Sequence, residues 1–355
     1  MKPDYIPSLD GLRAIAVLLV LWAHFPALTN PFLSKLLLID HQALGGYLGV
    51  DIFFVLSGFL ITRILLNNKL CDVSLLSFFI RRSLRIFPVY YLVIAVLALI
   101  APSRPLWWCA TYLSNFYFAF DTNNHFLRHT WSLAVEEHFY LVWPFIVYHL
   151  PARSSSLMAY LYAPALAILC ALFTLAVFSQ ENAAALIYRG SMFRMMSLAA
   201  GAALAYNESL IRDHLNTSPM KLAVIFSAIG VCTGYATSLL SPLSPLLIQI
   251  AGTLFSLGVV LLVIWSNNKY LKAVLGCRSL KYIGSISYGL YLYHYIIYEY
   301  FGMLDGTAVE TFTAISAGIL SFLVASISFI FFEKPILKLY PEILKAFAVM
   351  GRETA

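Results

Sequence analysis

The sequence predicts an all-α polytopic integral membrane protein with about ten transmembrane helices plus one re-entrant or interfacial segment. Three observations lead there. Hydrophobic residues make up 61% of the 355-residue chain against 11% charged, with a mean hydropathy of +0.81. That is too little polar surface for a water-soluble chain of this length. Apolar runs of about 20 residues recur from end to end, each long enough for a hydrocarbon core of roughly 30 Å. Lys and Arg collect between those runs, the pattern that sets orientation in a bilayer. No stretch is long and polar enough to fold separately, so residues 1–355 read as a single domain with its core at 8–335.

In order, the expected spans are 8–28, 46–66, 86–101, 131–150, 160–179, 188–206, 220–238, 244–266, 282–303 and 309–332. The first run lacks the small-residue cleavage site of a signal peptide, and Asp10 and Arg13 interrupt its approach, so it reads as a retained helix. Parity decides the run PLWWCATYLSNFYFAF at 105–120. Segment 63–85 carries Arg63, Lys69, Arg81, Arg82 and Arg85, and segment 269–281 carries Lys269, Lys272, Arg278 and Lys281. Both read as cytoplasmic, so an even number of spans must separate them. That leaves 105–120 as re-entrant or interfacial, its aromatic residues suited to the headgroup level. Both termini are then cytoplasmic, with Asn67 and Lys272 near the inner face and Pro242 and Asp305 outside.

These flanking residues account for the net charge of +6, so the expected partner is the lipid bilayer and not nucleic acid. The five cysteines, at 71, 109, 170, 232 and 277, form no CxxC pair. No Walker loop, GxGxxG, HExxH or Cys/His metal spacing occurs, and neither a disulfide framework nor a metal site is expected.

Ionisable residues inside apolar runs are costly and usually face a protein interior or a wet cavity. In SLDGLRAIAVLLVLWAH, Arg13 and His24 lie eleven residues apart, about 20° in projection and about 16 Å along the axis, with Asp10 three residues before Arg13. The stripe is either a buried functional face or an interface histidine with a snorkelling arginine. In GYLGVDIFFVLSGFLIT, Asp51 is a carboxylate that could orient a histidine or bind a cation. Gly49 and Gly58 permit close helix approach there, and Ser57 adds a hydroxyl. In FFIRRSLRIFPVYY, Arg81, Arg82 and Arg85 crowd one side of a helix, as a topology signal or as a clamp for phosphate oxygens.

HTWSLAVEEHFYLVWP at 129–144 poses the sharpest question, because lipid-facing helices rarely tolerate two adjacent carboxylates. Helical spacing puts His129, Ser132, Glu136 and Tyr140 on one face, with Trp131 in the same stretch. Glu137 is turned about 100° from Glu136, so the two are not expected to share one spot. ISYGLYLYHYIIYEY adds Ser287, Tyr291 and His294 on one face, a stripe that packing and hydrogen bonding explain as readily as chemistry.

Together these stretches resemble acyltransferase family 3, integral membrane proteins that include O-antigen and exopolysaccharide O-acetylases. SLDGLRAIAVLLVLWAH, GVDIFFVLSGFLI, RRSLRIFPVYY, TWSLAVEEHFYLVWP, ISYGLYLYH and FFEKP carry the likeness, in that order, across residues 8–335. Arg13 and His24 match the family's pattern of Arg, ten residues, then His, and Arg82 with Arg85 matches its RxxR motif. The resemblance implies a membrane-bound O-acyltransferase of the bacterial cytoplasmic membrane. Such an enzyme moves an acyl group, usually acetyl, from cytoplasmic acyl-CoA to a hydroxyl of an O-antigen, exopolysaccharide or other surface or lipid-linked glycan.

It further implies His24 as the catalytic histidine and Arg82 with Arg85, beside Arg13, as the site for coenzyme A phosphates. Acyl-CoA is then a co-substrate, and no cofactor is permanently bound. A neutral imidazole can take the proton of an attacking hydroxyl, with Asp51, Glu136 or Glu137 as catalytic carboxylates. Asp10, Ser57, His129, Trp131, Ser132, Tyr140, Ser287, Tyr291 and His294 are the expected substrate contacts. No SGNH-type hydrolase segment follows the last span, so the membrane unit is expected to complete transfer alone or to pass the acyl group to a partner. A rival reading is a proton- or cation-coupled transporter or flippase, which shares the intramembrane charges but needs no arginine clamp. A non-catalytic scaffold is the third.

Overall fold

A computed structural model of the chain describes residues 5–37, 42–71, 73–121, 123, 125–208, 219–236, 243–265 and 268–345. Pro242 and the side chain of Cys232 lie outside the described residues. Among those described, the chain is helical and forms no strand. The helices are α1 (Pro7–Ala23), α2 (Pro31–Leu36), α3 (Gln42–Leu70), α4 (Leu75–Ile100), α5 (Pro105–Ala110), α6 (Ser114–Phe120), α7 (Trp131–His149) and α8 (Ala152–Val177). After these come α9 (Gln180–Arg189), α10 (Ser191–Tyr206), α11 (Pro219–Ala236), α12 (Ser244–Trp265), α13 (Lys269–Leu275), α14 (Arg278–Tyr300) and α15 (Thr311–Lys345).

Local chemistry sets several boundaries. Pro7 sits in the first turn of α1, where a missing N–H costs nothing, and α1 closes at His24, whose backbone N–H returns to Val20 and Leu21. Asn30 caps α2 by accepting from the N–H groups of Phe32 and Leu33, and Ser74 caps α4 by accepting from that of Ser77.

Among the described residues, five helices are long and apolar enough to cross a membrane: Gly46–Leu70 within α3, then α4, α8, α12 and α15. Several of the other expected spans are shorter or more polar. α1 has 17 residues and α10 has 16, and the run 188–206 is broken at Gly190 into α9 and α10. α7 and α14, at 19 and 23 residues, are long enough but diluted by polar and aromatic side chains. The segment 63–85, expected between two spans, is mostly helix. α3 runs to Leu70 and α4 starts at Leu75, so the basic residues ride on helix ends. The run 105–120 is two helices of six and seven residues hinged at Tyr112, φ 56°. Each is about 10 Å long and falls short of a bilayer core.

α3 is central, with 67% of its apolar window buried against 17% for α8 and for α15. Those two turn Phe173, Phe312 and Phe331 outward, a large apolar exposure that suits lipid. α1 packs against α3 and α14, and α10 packs against α3. A Cβ on Gly58 would run into the Leu198 carbonyl, and one on Gly201 into the Val55 carbonyl, so α3 and α10 meet backbone to backbone. The main core joins Val17 and Val20 of α1, Phe54 of α3, Val135 and Phe139 of α7, Leu198 of α10 and Leu290 of α14.

Candidate active site

Residues of α1, α3, α4, α7 and α14 line a cavity of about 90 Å³. Arg13, Arg82 and Arg85 face it together with Glu136 and Glu137, and Ser57, Ser132, Ser287 and Tyr291 add hydroxyls. The two adjacent glutamates therefore share one cavity, contrary to the expectation from their 100° offset. The reason is that helices flank α7 on more than one side, and Glu136 reaches α3 while Glu137 meets the same space. Glu136 Oε1 accepts from Ser57 Oγ at 2.9 Å, and Oε2 accepts from the Tyr140 hydroxyl at 2.8 Å. Arg82 Nη2 lies 3.6 Å from that Oε2, with its guanidinium 3.5 Å above the Tyr140 ring centre.

The three arginines of the RRSLR stretch are thus not equivalent. Arg82 is held by Tyr140 and Glu136. Arg85 lines the cavity, is exposed, and makes no hydrogen bond or ion pair among the described residues. Arg81 turns away to lie 4.4 Å over the Tyr340 ring. Asp10 stays outside the cavity, accepting from the Tyr5 hydroxyl and from Arg13 Nη1 at 3.2 Å.

Further along α1 and α14 lies a second cluster. His24 Nδ1 is 3.2 Å from His294 Nε2, and His294 Nδ1 is 3.1 Å from the Leu290 carbonyl. Tyr295 meets the His24 ring edge-on at 5.0 Å and stacks on His129 at 4.8 Å. His129 does not share a face with Glu136 as helical spacing suggested. Residues 128–130 form a 3-10 turn and α7 begins only at Trp131, which swings His129 toward the other histidines. Both its ring nitrogens are buried without a hydrogen-bond partner among the described residues. Among the described residues, no three His, Cys, Asp or Glu side chains could hold a metal ion together.

Tyr291 stands between the two clusters. It lines the arginine cavity, its hydroxyl donates to the His129 carbonyl at 2.9 Å and sits 2.6 Å from Ser132 Oγ, and its ring centre is 5.7 Å from that of His294.

Asp51 is with neither cluster. Its Oδ1 accepts from Arg194 Nη1 at 2.8 Å and from Ser197 Oγ at 3.0 Å, deep between α3 and α10. It meets no histidine, so its expected orienting role is corrected to that of a buried ion-pair partner. Trp131 is also core, 4.8 Å from the Tyr188 ring and under the Arg194 guanidinium at 5.4 Å. Arg194 was visible in the sequence only as a charge inside an apolar run, and Tyr295 only as one tyrosine among many beside His294.

The profile of the acyltransferase domain family matches residues 6–331. Peptidoglycan O-acetyltransferase OatA of Listeria monocytogenes is 33% identical over 363 residues, covering 94% of this chain and 56% of its own. Putative peptidoglycan O-acetyltransferase YrhL of Bacillus subtilis is 31% identical, covering 94% of this chain and 55% of its own. O-acetyltransferase OatA of Staphylococcus aureus is 29% identical, covering 99% and 60%. The chain thus spans little more than half the length of these relatives. No solved structure matches. The profile match takes in all of the helices that build the cavity and the histidine cluster, and the chain belongs to the acyltransferase 3 family.

Proposed function

We propose that the chain transfers an acyl group, acetyl by preference, from cytoplasmic acyl-CoA to a hydroxyl of a cell-envelope glycan. The observation that carries this is one bundle holding two chemically different sites: a cavity whose Arg85 guanidinium has no partner among the described residues, and a histidine cluster beyond Tyr291. The names of the relatives favour peptidoglycan over O-antigen or exopolysaccharide as the acceptor class. Arg85, with Arg13 and Arg82 beside it, takes the donor's phosphates, since guanidinium forks fit phosphate oxygens. Ten spans with both termini cytoplasmic put the arginines toward the compartment of acyl-CoA and the histidines toward the outer leaflet.

In the reaction, His24 takes the proton of the acceptor hydroxyl as that oxygen bonds to the acyl carbon. The C–S bond breaks, and the departing thiolate collects the proton from the imidazolium. Glu136 fixes Tyr140 and Arg82 at the donor end, while Glu137 faces the same cavity without a hydrogen bond among the described residues. His24→Ala, produced at wild-type level in cells lacking their own enzyme, is expected to abolish alkali-labile acetate on the purified glycan. Wild-type acetylation by that variant would remove His24 from the mechanism. Solute uptake by proteoliposomes with no CoA ester present would favour a transporter.

A further inference from the structure

We infer that His294 is a positioning residue that sets the tautomer of His24, doing with a neutral imidazole what a carboxylate does in a catalytic triad. This rests on the proposed role of His24 as general base. Leu290 fixes the first proton. Its carbonyl can only accept, so His294 Nδ1, 3.1 Å away, carries a proton. A neutral imidazole has one N–H, which leaves His294 Nε2 with a lone pair. That lone pair lies 3.2 Å from His24 Nδ1, so the His24 proton sits on Nδ1 and donates to it. His24 Nε2 is then the bare nitrogen, the one that must take the hydroxyl proton.

A second proton on His294 would reverse the chain, but it would be a buried charge with no countercharge. His294 is 0% exposed, and no carboxylate among the described residues touches His24, His129 or His294. The ring is fixed from the sides as well, by the edges of Tyr295 at 5.0 Å on His24 and of Tyr298 at 5.7 Å on His294. When His24 takes its second proton, the Nδ1–H···Nε2 bond becomes charge-assisted and strengthens during the reaction. Holding a base in its productive tautomer is worth orders of magnitude in turnover where a carboxylate does it. A neutral acceptor is expected to supply less, about a hundredfold.

The test compares His294→Leu, which fills the space without an acceptor, with His294→Gln, whose amide oxygen can stand where Nε2 stood. Purified, folded H294L is expected to lose about a hundredfold in kcat with its acyl-donor KM unchanged within about twofold, and H294Q to stay within about tenfold of wild type. Histidine 15N NMR, with the His24 signals assigned by their loss in His24→Ala, reads the tautomer without any activity. Wild type and H294Q should show His24 protonated at Nδ1, and H294L should shift it toward Nε2. An unchanged His24 tautomer in H294L overturns the inference, as does an equal loss of kcat in both variants. A tautomer that shifts while turnover holds would instead remove His24 as the base and leave the positioning intact.

Discussion

Replacing Arg85 with alanine tests the donor clamp where the structure isolates it best. Arg85 faces the cavity, is exposed, and has no protein partner among the described residues, so its removal leaves no buried group stranded. A charge-assisted hydrogen bond to phosphate contributes about 1.5–3 kcal/mol, and each 1.4 kcal/mol is tenfold in affinity. Arg85→Ala should therefore weaken acyl-CoA binding about ten- to a hundredfold without lowering thermal stability. Arg85→Lys should recover the charge but only part of the binding, because an ammonium lacks the planar fork. Arg82→Ala should behave differently, since it also strips the cation from the Tyr140 ring and the countercharge from Glu136. It should lose stability and turnover along with donor affinity. Arg81, stacked on Tyr340 outside the cavity, is the control and should bind donor as wild type does when replaced. Calorimetric titration of detergent-solubilised protein with a thioether analogue of acetyl-CoA measures all four. Dephospho-CoA should bind equally to wild type and to whichever variant has lost the 3′-phosphate contact. A wild-type Kd in Arg85→Ala refutes the clamp and leaves membrane orientation as the purpose of these arginines.

Asp51→Asn strands the buried Arg194 cation and should lower stability by about 3–5 kcal/mol, read by thermal unfolding, while acetylation per folded molecule stays at wild type. Lost turnover in a stable Asp51→Asn would return Asp51 to the chemistry. Glu136→Gln offers one amide oxygen to the hydroxyls of Ser57 and Tyr140, so one donor loses its acceptor at a cost of about 1–3 kcal/mol. Glu137→Gln should show no such loss, and equal melting temperatures for the two would contradict this account of Glu136. Single cysteines at positions 67, 272 and 305 in a cysteine-free background report orientation through an impermeant thiol reagent. Position 305 should label in cells with an intact cytoplasmic membrane and the other two should not, and labelling at 272 overturns the ten-span topology.

The apolar runs announced the helices because a lipid-facing or buried helix needs no polar partner. The arginine and glutamate cavity was legible because Arg82, Arg85 and Glu136 are too costly in lipid to be accidental. Four things were hidden. Asp51 gave no hint of its partner, because Arg194 lies 143 positions away and only packing brings α3 and α10 together. His129 escaped helical spacing because it precedes the helix, which starts at Trp131 as the apolar run suggests, and sits in a 3-10 turn instead. Glu137 seemed excluded by angle, but angle on one helix says little when several helices wrap the same space. The tandem of His24 and His294 spans 270 positions and has no local signature at all.

The Tyr291 ring carries a consequence for water and protons inside the bundle. A continuous wet path from the arginine cavity to His24 would be lined by carboxylates, hydroxyls and imidazoles, the groups that relay protons through membranes. Pinned to the His129 carbonyl and to Ser132, Tyr291 interrupts the path at mid-bundle. For the acyl group to reach His24 in the proposed reaction that ring has to turn aside, so the barrier is a valve and not a wall.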